Sequence, residues 1–81
     1  MTEGEILTEL EQLGREHLEL DQALALTPEL RLVEDLGLDS LKRLTLVVEA
    51  ENRFRVRLGF EEDQPIETVG ELVGAIRKEM R

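Results

Sequence analysis

The chain has 81 residues, two phenylalanines, no cysteine, tryptophan or tyrosine, and a formal net charge of −9. That length supports one domain over residues 1–81, and the lack of cysteine excludes disulfides and thiolate-bound metal. Apolar runs stop at four residues, too short to span a bilayer, and the net acidity opposes binding to nucleic-acid phosphates.

The N-terminus, Met1-Thr2-Glu3-Gly4-Glu5, has no basic segment of the kind that opens a signal peptide, so the expected location is cytoplasmic. Thr2 followed three residues later by Glu5 reads as a capping box. Ile6, Leu7, Leu10, Leu13, Gly14, His17 and Leu18 then recur at helical spacing, predicting a first helix over residues 3–18. Between Glu19 and Asp39 the periodicity fails. Thr27-Pro28-Glu29 reads as a cap, a first-turn proline and an acid, enough for one helical turn. Leu24, Leu26, Leu30, Leu32, Val33, Leu36 and Leu38 imply an ordered loop packed onto the helices. A loop of about 20 residues is uncommon in a small domain and often functional.

A second helix is expected from Asp39 or Ser40 to Phe54, with Leu41, Leu44, Val47, Val48 and Phe54 as its buried stripe and Gly37 allowing a sharp turn before it. Arg55-Val56-Arg57-Leu58 alternates like a strand but has no evident partner, so it is read as an extended connection. Glu61-Glu62-Asp63-Gln64 suits one short helical turn before Pro65. A second capping box, Thr68-Val69-Gly70-Glu71, opens the last helix, whose apolar face is Val69, Leu72, Val73, Ile76 and Met80. Gly70 and Gly74 weaken that helix unless a close helix–helix approach uses them. The expected fold is all-α: a small four-helix bundle of three main helices and one short one, with a long ordered loop between the first two.

Charge is segregated along the chain. Residues 1–39 hold eleven acids and two bases (−9), residues 40–57 hold five bases and two acids (+3), and residues 58–81 hold six acids and three bases (−3). A basic middle segment therefore sits in an acidic protein.

Few residues offer catalysis. His17 stands alone and reads as a residue at the edge of the core, and Glu61-Glu62-Asp63 reads as a solvated acidic turn rather than a cation site. A hydrolase built on Ser40 and His17 lacks an evident orienting partner for the base. Leu32 to Leu41 is the informative stretch, because Ser40 follows an acid and a glycine turn at the start of a helix. By itself this pattern is ordinary helix capping.

The longer string Asp35-Leu36-Gly37-Leu38-Asp39-Ser40-Leu41 resembles the phosphopantetheine attachment site of acyl carrier proteins. The likeness extends to the Thr-Pro-Glu turn before it, the leucine-rich loop, Phe54 and the Thr68-Val69 helix start, and so covers essentially the whole chain. The resemblance implies that Ser40 accepts 4′-phosphopantetheine from coenzyme A through a separate phosphopantetheinyl transferase. Asp39 and Leu41 would complete the attachment motif, with Asp39 assisting the transferase's metal-dependent docking. It further implies a monomeric carrier, not an enzyme, that serves acyl-loading enzymes, a ketosynthase or other acyl-chain-processing enzymes. Leu44, Val48, Leu58, Ile66, Val69 and Leu72 are core positions that also become candidates for lining an acyl pocket.

One departure stands out. Family members of fatty-acid synthesis usually carry acids after the serine, whereas this chain has Lys42, Arg43 and Thr45 there, with Glu49 and Glu51 further on. A docking face of Lys42, Arg43, Leu46 and Glu49 is therefore expected to select partners of different charge, which favours a specialised or polyketide-type pathway. A carrier of aminoacyl or peptidyl groups and an unmodified docking module are the competing readings.

Overall fold

The computed structural model describes residues 2–21, 25–58 and 66–80, which form three helices: α1 (Glu3–His17), α2 (Ser40–Phe54) and α3 (Val69–Glu79). α1 starts where the sequence places it. The Thr2 hydroxyl accepts from the Glu5 N–H at 3.2 Å, and the Glu5 carboxylate accepts from the Thr2 N–H at 3.1 Å, so the capping box is complete. That carboxylate is held below its ordinary pKa, first by the Thr2 backbone N–H and then by the Thr2 side chain. At α3 only half of the box forms. Thr68 Oγ1 accepts from the Glu71 N–H, but the Glu71 carboxylate turns to the N–H of Glu67.

Ile6, Leu10 and Leu13 of α1, Leu46, Val47, Ala50 and Phe54 of α2, and Val69, Leu72, Val73 and Ile76 of α3 meet in one apolar core. Leu26, Leu32 and Leu38 complete it from the loop, each no more than 7% exposed. The leucine-rich loop is thus a structural layer, as its composition predicts. Hydrogen bonds fix its path: the Leu26 N–H donates to Glu11 Oε2 at 2.8 Å, and the Leu32 N–H donates to the Glu67 carbonyl at 2.8 Å. In return, the N–H groups of Val69 and Gly70 donate to the carbonyls of Leu30 and Pro28. Arg31 and Thr68 thereby form an isolated antiparallel bridge, a pairing that no local pattern announces. Thr27-Pro28-Glu29 makes a single turn closed by the Leu30 N–H on the Thr27 carbonyl, and Val56 to Leu58 runs without regular structure. The short helical turn expected at Glu61–Gln64 lies outside the described residues.

Ion pairs join the outer faces of α1 and α2. Arg53 reaches Glu9 at 2.6 Å and Glu16 at 3.4 Å, and His17 Nε2 lies 3.4 Å from Glu49. Such exposed pairs each contribute roughly 0–1 kcal/mol. No helix among the described residues is long and apolar enough to cross a membrane.

The glycines of α3 differ in surroundings. A Cβ at Gly70 would lie 3.1 Å from the Pro28 carbonyl oxygen, whereas a Cβ at Gly74 would meet nothing within 4 Å. The close approach that offsets Gly70 comes from the loop rather than from a helix, and Gly74 has none. Gly74→Ala is therefore expected to raise stability by about 0.5–1 kcal/mol in urea unfolding, and Gly70→Ala to give no such gain.

Candidate attachment site

The site is built by the turn that feeds α2. Leu38 is 2% exposed, and its N–H donates to the Leu32 carbonyl at 3.0 Å, which anchors the chain one residue before the cap. Gly37 adopts φ +69°, a left-handed conformation that side-chain-bearing residues rarely take, so the turn depends on glycine here. Asp39 is extended at φ −77° and ψ −178° and caps the helix, its Oδ1 accepting from the Lys42 N–H at 2.8 Å. The Asp39 carbonyl takes the Arg43 N–H at 2.9 Å.

Ser40 is the first helical residue and is exposed, and its hydroxyl makes no hydrogen bond among the described residues. The N–H groups of Ser40 and Leu41 are orphans of the helix start, and with the helix dipole they favour an anion attached beside them. α2 has no acid in its first turn. No histidine among the described residues lies beside Ser40. His17 sits against Glu49, two and a half turns along α2 from Ser40, which is about 13 Å of helical rise. With a side chain 41% exposed, His17 is a surface residue rather than part of the core edge. No group of acids and histidines among the described residues is arranged to hold a metal ion.

The expected stripe on α2 needs correction. Leu41 is 71% exposed, and Leu44 and Val48 are each 41% exposed, so these three face outward. The buried face is Leu46, Val47, Ala50 and Phe54. Leu46 at 3% exposure is core and is not available as a docking contact. Leu44 and Val48 likewise lie outside the interior that an acyl pocket would occupy. Of the remaining pocket candidates, Val69 and Leu72 are fully buried, and Leu58 and Ile66 are partly buried against the core. Among the docking residues, Lys42 is exposed, Glu49 is engaged by His17, and Arg43 is half-buried.

Arg43 brings a feature that charge counting misses. Its Nε is shielded from solvent and has no hydrogen-bond partner. It lines a cleft of about 270 Å³ with Arg31, Val33, Glu34 and Glu67.

An exposed serine at a capped helix start suits the attachment of a covalent group. Comparison with known proteins points the same way. The phosphopantetheine attachment site family matches residues 10–76. Acyl carrier protein 2 of Ralstonia nicotianae is 35% identical over 77 residues, covering 95% of this chain and 94% of the relative. An acyl carrier protein of Thermotoga maritima is 34% identical over 76 residues, covering 94% and 93% of the two chains. Acyl carrier protein MbtL of Mycolicibacterium paratuberculosis is 40% identical over 79 residues, covering 98% and 88%. The chain belongs to the acyl carrier protein family, whose members are carriers rather than catalysts and bear covalent 4′-phosphopantetheine.

The cap and the serine have separable roles. Asp39→Ala is expected to cost about 1 kcal/mol in chemical denaturation through loss of the cap. Ser40→Ala, which breaks no hydrogen bond, should stay within about 0.5 kcal/mol of the wild type.

Proposed function

We propose that Ser40 is the residue that bears the 4′-phosphopantetheine arm and that the protein shuttles acyl intermediates for a specialised, fatty-acid-like or polyketide pathway. The observation that carries this reading is the exposed Ser40 hydroxyl, without a hydrogen-bond partner among the described residues, at a capped helix start. Ser40 Oγ forms a bond to the pantetheine phosphorus of coenzyme A as the pyrophosphate link to the nucleotide breaks and the hydroxyl proton leaves to the transferase. The bound arm supplies the thiol that holds an acyl group as a thioester, a role no side chain of this cysteine-free protein can take. Asp39 uses Oδ1 for the cap, which leaves its other oxygen for the transferase's metal. The working protein is a cytoplasmic monomer.

Partner enzymes meet the outer face of α2. Leu41, Leu44 and Val48 form an exposed apolar strip with Lys42 at its side, and the acids common after the serine in fatty-acid carriers are absent. A partner with an apolar contact and an acidic rim fits this surface, and that sign supports a dedicated pathway rather than general fatty-acid synthesis. Any acyl chain taken inside would pass Leu58 and Ile66 towards Val69 and Leu72.

Intact mass after incubation with coenzyme A, magnesium and a broad-specificity phosphopantetheinyl transferase tests the attachment. The expected result is one added phosphopantetheinyl group on the wild type and none on Ser40→Ala. A folded wild-type protein that gains nothing would instead be an unmodified docking module. For the docking face, Lys42→Glu is expected to slow association with a partner acyltransferase or ketosynthase roughly tenfold at low salt, with the difference shrinking as salt rises.

A further inference from the structure

The C-terminal end of α2 carries two arginines whose charges the fold does not pair. Arg55 and Arg57 are exposed, and neither forms an ion pair among the described residues. With Glu51, Asn52 and Val56 they line an open cleft of about 410 Å³. The chain around this cleft is held in place. The N–H groups of Arg55 and Val56 both donate to the Glu51 carbonyl, and the Leu58 N–H donates to Glu51 Oε2 at 2.9 Å. Val56 and Leu58 pack against the core, which leaves Arg55 and Arg57 on the outside.

The lining is basic: two guanidinium groups stand against the one carboxylate of Glu51, which already accepts from the backbone. Neighbouring Arg53 is occupied by Glu9 and Glu16 and adds nothing to the cleft. The chain as a whole is at −9, but at physiological salt charge interactions fade beyond about 8 Å, so a group entering the cleft meets the local sign first. The backbone adds an independent observation. Arg55 ends α2 at φ 57° and ψ 46°, the left-handed conformation in which glycine is usual. A side chain is disfavoured there, so the backbone alone would select glycine. An arginine kept against that preference, with no ion pair among the described residues, points to a use outside the fold.

We propose that Arg55, Arg57 and Asn52 form a second docking site, which takes a carboxylate-bearing segment of a partner protein. Guanidinium groups match carboxylates with paired N–H donors, and the Asn52 amide supplies a further donor. Because the segment is already fixed by Glu51 and by the burial of Val56 and Leu58, little order is lost when it is engaged. The site lies at the opposite end of α2 from Ser40, about 21 Å along the helix axis. It extends the reading that α2 meets acidic partners, but it uses none of the residues of the Lys42 end and does not require a loaded serine.

The probe is end-blocked hexaglutamate, titrated into the full apo chain while proton–nitrogen NMR follows the arginine Nε–H signals, with hexaglutamine as the control. The signals of Arg55 and Arg57 should move saturably with hexaglutamate and not with hexaglutamine, and that of Arg53 should stay in place. The affinity should fall roughly tenfold as salt is raised from low to physiological strength. Arg55→Gly removes one guanidinium and relieves the left-handed strain, so it should weaken hexaglutamate binding roughly tenfold while raising the urea midpoint. Arg55 and Arg57 signals that move no more than that of Arg53 would overturn the site. An Arg55→Gly protein that loses stability and keeps its hexaglutamate affinity would do the same, since the arginine would then serve the fold. A third outcome against it is that Glu61→Gln, Glu62→Gln and Asp63→Asn together move the two signals while hexaglutamate does not, because the chain's own acids would then use the arginines. The Lys42 association experiment uses another residue and another probe, so either docking reading can fail without the other.

Discussion

The backbone pairing between the loop and the start of α3 is the constraint on which the rest of the molecule depends. Leu32 donates to Glu67, while Val69 and Gly70 donate to Leu30 and Pro28, so a loop of about 20 residues is held by the same bonds that begin a helix. These bonds satisfy the first N–H groups of α3, which have no partner within the helix. They also place Leu32 in the core, and from Leu32 the chain needs only the turn to Leu38 to reach Asp39 and Ser40. The serine's position is thus set from three sides: by the bridge, by the buried Leu38 and by the Asp39 cap. A long loop that is ordered in this way is costly in conformational entropy, and the burial of Leu26, Leu32 and Leu38 offsets it.

Electrostatics divides α2 into two ends. Near its C-terminus Arg53 is used internally, shared by Glu9 and Glu16 of the acidic first segment. The pair Glu49–Arg53, available at helical spacing, is given up in favour of contacts to α1: Glu49 meets His17 instead. Arg55 takes the left-handed conformation at φ 57° that ends the helix, and Arg57 is exposed, so the run of bases continues past the helix on the surface. At the N-terminal end Lys42 and Arg43 meet no carboxylate in an ion pair among the described residues. Of the five bases in the middle segment, only Arg53 forms an ion pair among the described residues.

The helices and their starts were legible in the sequence because capping is local. Thr2, Asp39 and Thr68 each sit directly before a periodic apolar pattern, and each caps a helix. The orientation of α2 was legible only in part: Val47 and Phe54 are buried as expected, whereas Leu41, Leu44 and Val48 face outward. Leu41, Leu44 and Val48 have spacings of three and four, and Val47, Ala50 and Phe54 have spacings of three and four, so periodicity ranks them equally. Size misleads as well, because the small Ala50 is the α2 residue with no exposure at all. What decides between them is the close approach of α1 and the loop, which is not encoded locally. The Arg31–Thr68 bridge was hidden for the same reason, and the unpaired Nε of Arg43 follows from tertiary burial that no count of charges contains.

The two stripes on α2 explain how so short a chain can both fold and be recognised. An 81-residue protein has little surface to spare for a separate binding module, so one helix must serve the core and the partner at once. Separation by helical phase allows this. The face through Val47, Ala50 and Phe54 answers to packing, while the face through Leu41, Leu44 and Val48 lies open to solvent. Exposed apolar groups in a strip on α2 are a cost to solubility that a net charge of −9 counteracts elsewhere on the molecule. Substitutions on the outer face therefore leave the packing intact, and the basic turn of Lys42 and Arg43 coexists with an ordinary helical core.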